Sequence, residues 1–268
     1  MDGLQTIPLT FGDMKRSRLE RIFFLLKRRA LVKSVFRHLK HKLEKRQPKI
    51  IPEIKLSEFM PNGVEETILD SPNADHDGNV SQQELRAICK VIKHFKPANL
   101  FEIGTFEGHT TAHMAANAPK TSPVFTLDLP AQEINHTALR IKTSDSTFIL
   151  KERSGQEFLS NKGLADKITQ LYGDSASFDF TAYDNKMDFV FVDGSHSYEY
   201  AKNDTRIALK LLRNTRGIII WHDYGWREVV RALNELYLEH PSMGLARHIK
   251  DTSLVIYNSN FNNSGPAK

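Results

Sequence analysis

One cysteine, Cys89, in 268 residues excludes an internal disulfide framework and any multi-cysteine metal site. That absence suits a reducing compartment, and the expected location is the cytoplasm. Long apolar runs are also missing. The longest in the N-terminal region, Ile22 to Leu26, falls far below the roughly 20 residues of a membrane helix. It is also too short for the core of a secretory signal. Acidic residues are scarce at one end of the chain. Residues 15–46 hold thirteen Lys/Arg against Glu20 and Glu44, a net of +11, whereas the whole chain carries only +5. With Asp2 and Asp13 ahead of this segment, the rest of the chain must sum to −4. A mildly acidic body therefore carries a strongly basic extension.

The basic segment has no Gly or Pro before Pro48 closes it, and Leu19, Phe23, Leu26, Ala30, Val35, Phe36, Leu39 and Leu43 recur at helical spacing. A basic amphipathic helix of this kind suits an anionic membrane surface, reached peripherally, or packing on a partner copy or on its own domain. Its aromatics lie on the apolar stripe and are not interleaved for base stacking, which argues against nucleic acid. Residues 47–72, with Pro48, Pro52, Pro61 and Pro72, read as an extended lead-in. The expected division is 1–72 extension and lead-in, 73–258 catalytic domain, and 259–268 tail.

Asn73, Asp75, Asp77, Gly78, Asn79, Ser81 and Glu84 fall on the positions of an EF-hand loop. The preceding GVEETILDS makes no convincing entering helix, and a simpler reading exists. Ser81 and Glu84 form a capping box for a helix whose stripe is Leu85, Ile88, Cys89, Ile92 and Phe95.

From Asn99 the pattern alternates between strand and helix. NLFEIG (99–104), VFTLDLP (124–130), KITQLYGDS (167–175), MDFVFVDG (187–194) and GIIIWHDY (217–224) read as strands, and Thr110–Ala116, Tyr198–Leu212 and Arg227–Glu239 as helices. ARHIKDTSLVIYN (246–258) reads as a final strand or hairpin, and the connection 131–167 as a helix plus a flexible lid. This is α/β architecture, a doubly wound, mostly parallel sheet with a basic helical extension.

Ligands of such sheets sit beyond the carboxyl ends of the strands. In EIGTFEG, Glu102, Gly104, Thr105 and Gly108 are candidate cofactor contacts, since the glycines permit a tight turn and close approach. Asp128 ends the second strand, where a carboxylate accepts from ribose hydroxyls, and YGDS supplies Asp174 and Ser175. Asp193, His196, His222 and Asp223 emerge together from the next two strands. These features fit a nucleotide-like cofactor, and Tyr198 and Lys202, four apart, keep an NAD-type oxidoreductase open. A non-enzymatic scaffold on the same fold is the third alternative.

The ordered set EIGTFEG, TLDLP, YGDS, VDGSHSYEY and WHDY resembles the class I S-adenosylmethionine (SAM)-dependent methyltransferases. More narrowly, it resembles the bacterial branch with cephalosporin-hydroxylase-like proteins and metal-dependent sugar O-methyltransferases, over about residues 78–258. The resemblance implies a Rossmann-like methyltransferase fold, SAM across Glu102, Gly104, Thr105, Gly108, Asp128, Asp174, Ser175 and Asp193, and a small-molecule or glycan hydroxyl as acceptor. It also implies a divalent metal, Mg²⁺ or Mn²⁺, on Asp193, His222 and Asp223, with His196 as base. His222 stands where those enzymes carry a carboxylate, which shifts preference from Mg²⁺ towards Mn²⁺, Fe²⁺ or Zn²⁺.

Overall fold

The computed structural model describes residues 47–259, except 72–75, 152 and 160. The basic segment 15–46, most of the tail, and Asn73 and Asp75 of the calcium-like loop lie outside the described residues.

One sheet contains β1 (Glu53–Ile54), β2 (Leu100–Ile103), β3 (Val124–Asp128), β4 (Ile168–Tyr172), β5 (Phe189–Val192), β6 (Ile218–Trp221), β7 (Arg247–Ile249) and β8 (Val255–Asn258). Their order is β1-β7-β8-β6-β5-β2-β3-β4, and only β8 runs antiparallel to its neighbours. Four principal helices flank it: α1 (Gln82–Phe95), α2 (His109–Asn117), α3 (Tyr198–Leu211) and α4 (Arg227–Glu239).

The central strands are apolar on both faces because both faces are covered. In β5, Phe189 and Phe191 join one cluster with Leu85, Ile88 and Ile92 of α1. Val190 and Val192 turn to the other, with Leu211 of α3 and Leu233 of α4. This two-residue alternation within an unbroken apolar run is what a central parallel strand requires.

Two parts of the chain depart from the sequence expectation. The lead-in contributes β1, paired in parallel with β7, and buries Ile51, Ile54, Phe59 and Met60, so the body begins well before residue 73. Among its described residues the connection 131–167 holds only turns and single-turn helices such as Ser146–Ile149 and Gln156–Leu159. It contains no run of apolar residues at helical spacing long enough to sustain more.

The capping box forms as expected. Ser81 accepts from the Glu84 N–H, and the Glu84 carboxylate accepts from the Ser81 N–H at 3.2 Å. Ser81→Ala should therefore cost about 0.5–2 kcal/mol of stability, read as an earlier urea midpoint at unchanged slope.

Candidate active site

The chain runs from β2 outward through β3 to β4, then returns to β5 on the other side of β2. That reversal opens a crevice at the carboxyl ends of the strands. A cavity of about 110 Å³ lies there, and Gly104, Asp128, Asp174, Ser175, Asp193 and His196 all line it. Six of the residues expected from the sequence thus meet at one place.

Gly104 has no alternative at its position. Its φ is +100°, and a Cβ would stand 2.0 Å from the Asp193 carbonyl oxygen. The β2 and β5 ends are brought this close by main-chain pairing of Ile103 with Val192. Glu102, Thr105 and Gly108, expected as cofactor contacts, stand behind the cavity wall. Glu102 is fully buried, where Thr111 and Thr126 hydroxyls donate to it. Burial pushes its pKa up to about 8 against those hydrogen bonds, so it is a neutral acid at pH 7. The Thr105 hydroxyl pairs with Thr126 and accepts from Gln170. Gly108 starts α2, with φ +88° and the Phe158 ring 2.6 Å from where a Cβ would lie.

The cavity is roofed by the segment following β3. Lys151 Nζ lies 2.6 Å from Asp128 Oδ2, and the Ser154 hydroxyl donates to the same oxygen. The Ala138 N–H donates to Asp174 Oδ2 at 2.6 Å, and the Tyr200 hydroxyl to Oδ1 at 2.7 Å. Ser175 donates to Asp204, whose pKa burial raises to about 7. Asp128 and Asp174, two of the carboxylates expected at the cofactor, are thus occupied by the protein's own donors.

At the β5 and β6 ends, four carboxylates surround two imidazoles. His222 Nδ1 lies 3.0 Å from Asp193 Oδ1 and 3.2 Å from Asp223 Oδ2, and its Nε2 lies 3.4 Å from Glu84. His196 Nε2 is 2.7 Å from Asp223 Oδ2, and its Nδ1 is 2.9 Å from Asp145 Oδ1. Burial alone would lower His196, but Asp223 and Asp145 outweigh it and hold it up at about 10. The same contest raises His222, with Asp223 and Asp193 prevailing. A divalent cation bound here would take the place of the His222 proton among these carboxylates. Asp193, His222 and Asp223 each offer a ligand atom, all within 4.8 Å of one another. Asp223 holds a left-handed φ of +61°, a strained conformation that aims its carboxylate between the two rings.

Asp145, Lys151 and Ser154 carried no site signal in the sequence, and Glu84 carried only that of the calcium-like loop. Glu84 has a complete local explanation as a cap, yet it also accepts from the Ser253 N–H at 2.6 Å and reaches His222. Two other candidates resolve as structural. Tyr198 and Lys202 join Glu235 of α4 and do not line the cavity. His109, His113 and Glu157 cluster, but His113 uses both nitrogens, donating to the His109 carbonyl at 2.8 Å and accepting from the Leu69 N–H at 3.0 Å.

Residues 101–224, from β2 to the strained corner after β6, match the family model described as a methyltransferase domain. This segment is a methyltransferase domain. A SAH-bound methyltransferase from Podospora anserina aligns at TM-score 0.50 and 17% identity, covering 68% of this chain and 80% of that one. An O-methyltransferase from Streptomyces achromogenes involved in tomaymycin synthesis, in complex with SAM, aligns at TM-score 0.50 and 14% identity, covering 71% and 91%. At these identities the likeness is one of fold. No curated protein matches the sequence. The methyltransferase domain keeps its sheet core and adds β1 from upstream and the β7–β8 hairpin from downstream of the matched segment. No described helix is long and apolar enough to cross a membrane.

Proposed function

We propose that this domain transfers the methyl group of SAM to a hydroxyl of a small molecule or glycan, assisted by a divalent metal on Asp193, His222 and Asp223. The observation that carries the reading is one cavity lined by Gly104, Asp128, Asp174, Asp193 and His196, with His222 in contact with Asp193 and Asp223 in contact with His196. The two structural neighbours bind SAM or SAH in their own crystals, which supports the cofactor.

Methyl transfer needs in-line placement of donor and acceptor, and orientation alone can supply roughly 7–11 kcal/mol. Asp128 accepts from the ribose hydroxyls, and Gly104 lets the main chain approach the cofactor. The proton of the acceptor hydroxyl remains to be managed. A metal on the donor set would supply Lewis acidity, lowering the pKa of a bound hydroxyl by many units. The set of two carboxylates and one imidazole favours Mn²⁺, Fe²⁺ or Zn²⁺ over Mg²⁺. His196 presents Nε2 to this set and keeps its Nδ1 proton against Asp145. While Asp223 accepts from Nε2 the ring holds both protons. Asp223, engaged as a metal ligand, would be drawn away from Nε2, and once the Nε2 proton had passed to solvent the nitrogen would be free to accept the hydroxyl proton. The basic segment 15–46 would dock the enzyme on an anionic membrane surface or on a second copy, bringing the cavity to its substrate.

Calorimetric titration with S-adenosylhomocysteine (SAH) and with NAD tests the reading. SAH is expected to bind at micromolar concentrations and NAD at least a hundredfold more weakly. Equal affinities, or NAD alone, would return the site to the oxidoreductase alternative.

A further inference from the structure

Asp145 is the one buried residue between 131 and 150, a stretch otherwise exposed or half-buried. A carboxylate is the costliest group to bury, and it remains so only where it is fully hydrogen-bonded. Here the bonds are specific. Oδ2 accepts from the Ser195 hydroxyl at 2.7 Å and the His196 N–H at 3.0 Å. Oδ1 pairs with His196 Nδ1 at 2.9 Å and accepts from the Ser144 hydroxyl at 3.1 Å. Among the described residues Asp145 is the only partner of that ring nitrogen. The same turn places the Phe148 ring 6.1 Å from the His196 ring, centroid to centroid.

This turn belongs to the roof. Its flanks hold two more of the cavity's carboxylates, through Ala138 on Asp174 and through Lys151 and Ser154 on Asp128. The cavity, about 110 Å³, is smaller than the roughly 300–1,000 Å³ typical of small-molecule sites. A ligand of cofactor size must therefore lift the roof, and three anchors on one continuous segment make it unlatch as a unit.

We propose that Asp145 is a positioning residue that couples closure of segment 138–154 to the orientation of His196, so the ring is fixed only when the roof is shut. The use of that coupling rests on the methyl-transfer reading. The coupling itself is a property of the fold and is tested separately. It would free the proton-handling group while the roof is lifted and fix it again when the roof closes.

Asp145→Asn replaces one acceptor oxygen with an NH₂ group at nearly unchanged volume. In the full-length protein, hydrogen–deuterium exchange is expected to rise at least tenfold in both 138–154 and 194–198, with β5 and β6 unchanged as a control for folding. Phe148→Ala, which loosens the same turn and keeps the carboxylate, should release both segments too. In the wild type, saturating SAH should shift the His196 ring ¹⁵N signals. In Asp145→Asn, SAH should bind and leave them unmoved. Undisturbed protection of 194–198 in both variants, or an equal SAH response of the His196 ring in Asp145→Asn, overturns the proposal. A wild type that ignores SAH counts against the methyl-transfer reading alone, because the exchange measurement still decides the coupling.

Discussion

Replacing Asp193 with Ala is expected to abolish turnover, a loss of at least a thousandfold in SAH released, while SAH affinity stays within about threefold. Lewis-acid stabilisation by a metal is worth several kcal/mol, and each 1.36 kcal/mol is a factor of ten in rate. Asp193 belongs to the three-residue donor set, and its carboxylate stands 3.0 Å from His222. Its backbone role survives the substitution, because the Asp193 N–H still donates to the Ile103 carbonyl at 2.9 Å and keeps the β2–β5 crevice in place. Metal content should fall with activity, and Asp193→Asn should behave alike, since an amide is a far weaker ligand. Elemental analysis of the purified protein, with and without chelator treatment, checks the metal. Full activity after confirmed metal removal would dismiss the metal role and leave His196 to act on a more acidic acceptor such as a phenol.

The place of this site was legible in the sequence because it follows from topology. Apolar runs such as FVFV and IIIW can only be central parallel strands, and the polar residues that end them must gather at one edge. Local signals fared equally well where they are strong. The helix read over Arg227–Glu239 has those bounds in the structure, and the Ser81 capping box forms. What escaped was set by tertiary closure. Asp145, Lys151 and Ser154 lie in a stretch with no periodicity, and their meaning comes from partners 23 to 51 positions away in sequence. β1 is two residues long beside Pro52 and exists only because β7 offers an edge. Gly108 illustrates a different limit. A glycine demanded by the Phe158 ring and one facing a ligand look identical in EIGTFEG.

Asp128→Ala is expected to weaken SAH binding by about 1.5–3 kcal/mol, roughly tenfold to a hundredfold, because a buried ribose loses its charged acceptor. The roof complicates that estimate in a testable way. Asp128 is already satisfied by Lys151 and Ser154, so SAH must break a buried ion pair before it gains its own hydrogen bonds. Lys151→Ala removes the competitor and keeps the acceptor, so it should tighten SAH binding by several-fold. The double variant Asp128→Ala/Lys151→Ala separates the two effects. Should Asp128 act directly on the ribose, the double variant stays weak, since removing Lys151 restores no acceptor. Should Asp128 act only by latching the roof, Lys151→Ala alone weakens binding as much as Asp128→Ala does, and the double variant adds nothing. Calorimetry on the four proteins decides between them, and unchanged affinity in Asp128→Ala would remove that carboxylate from the cofactor site.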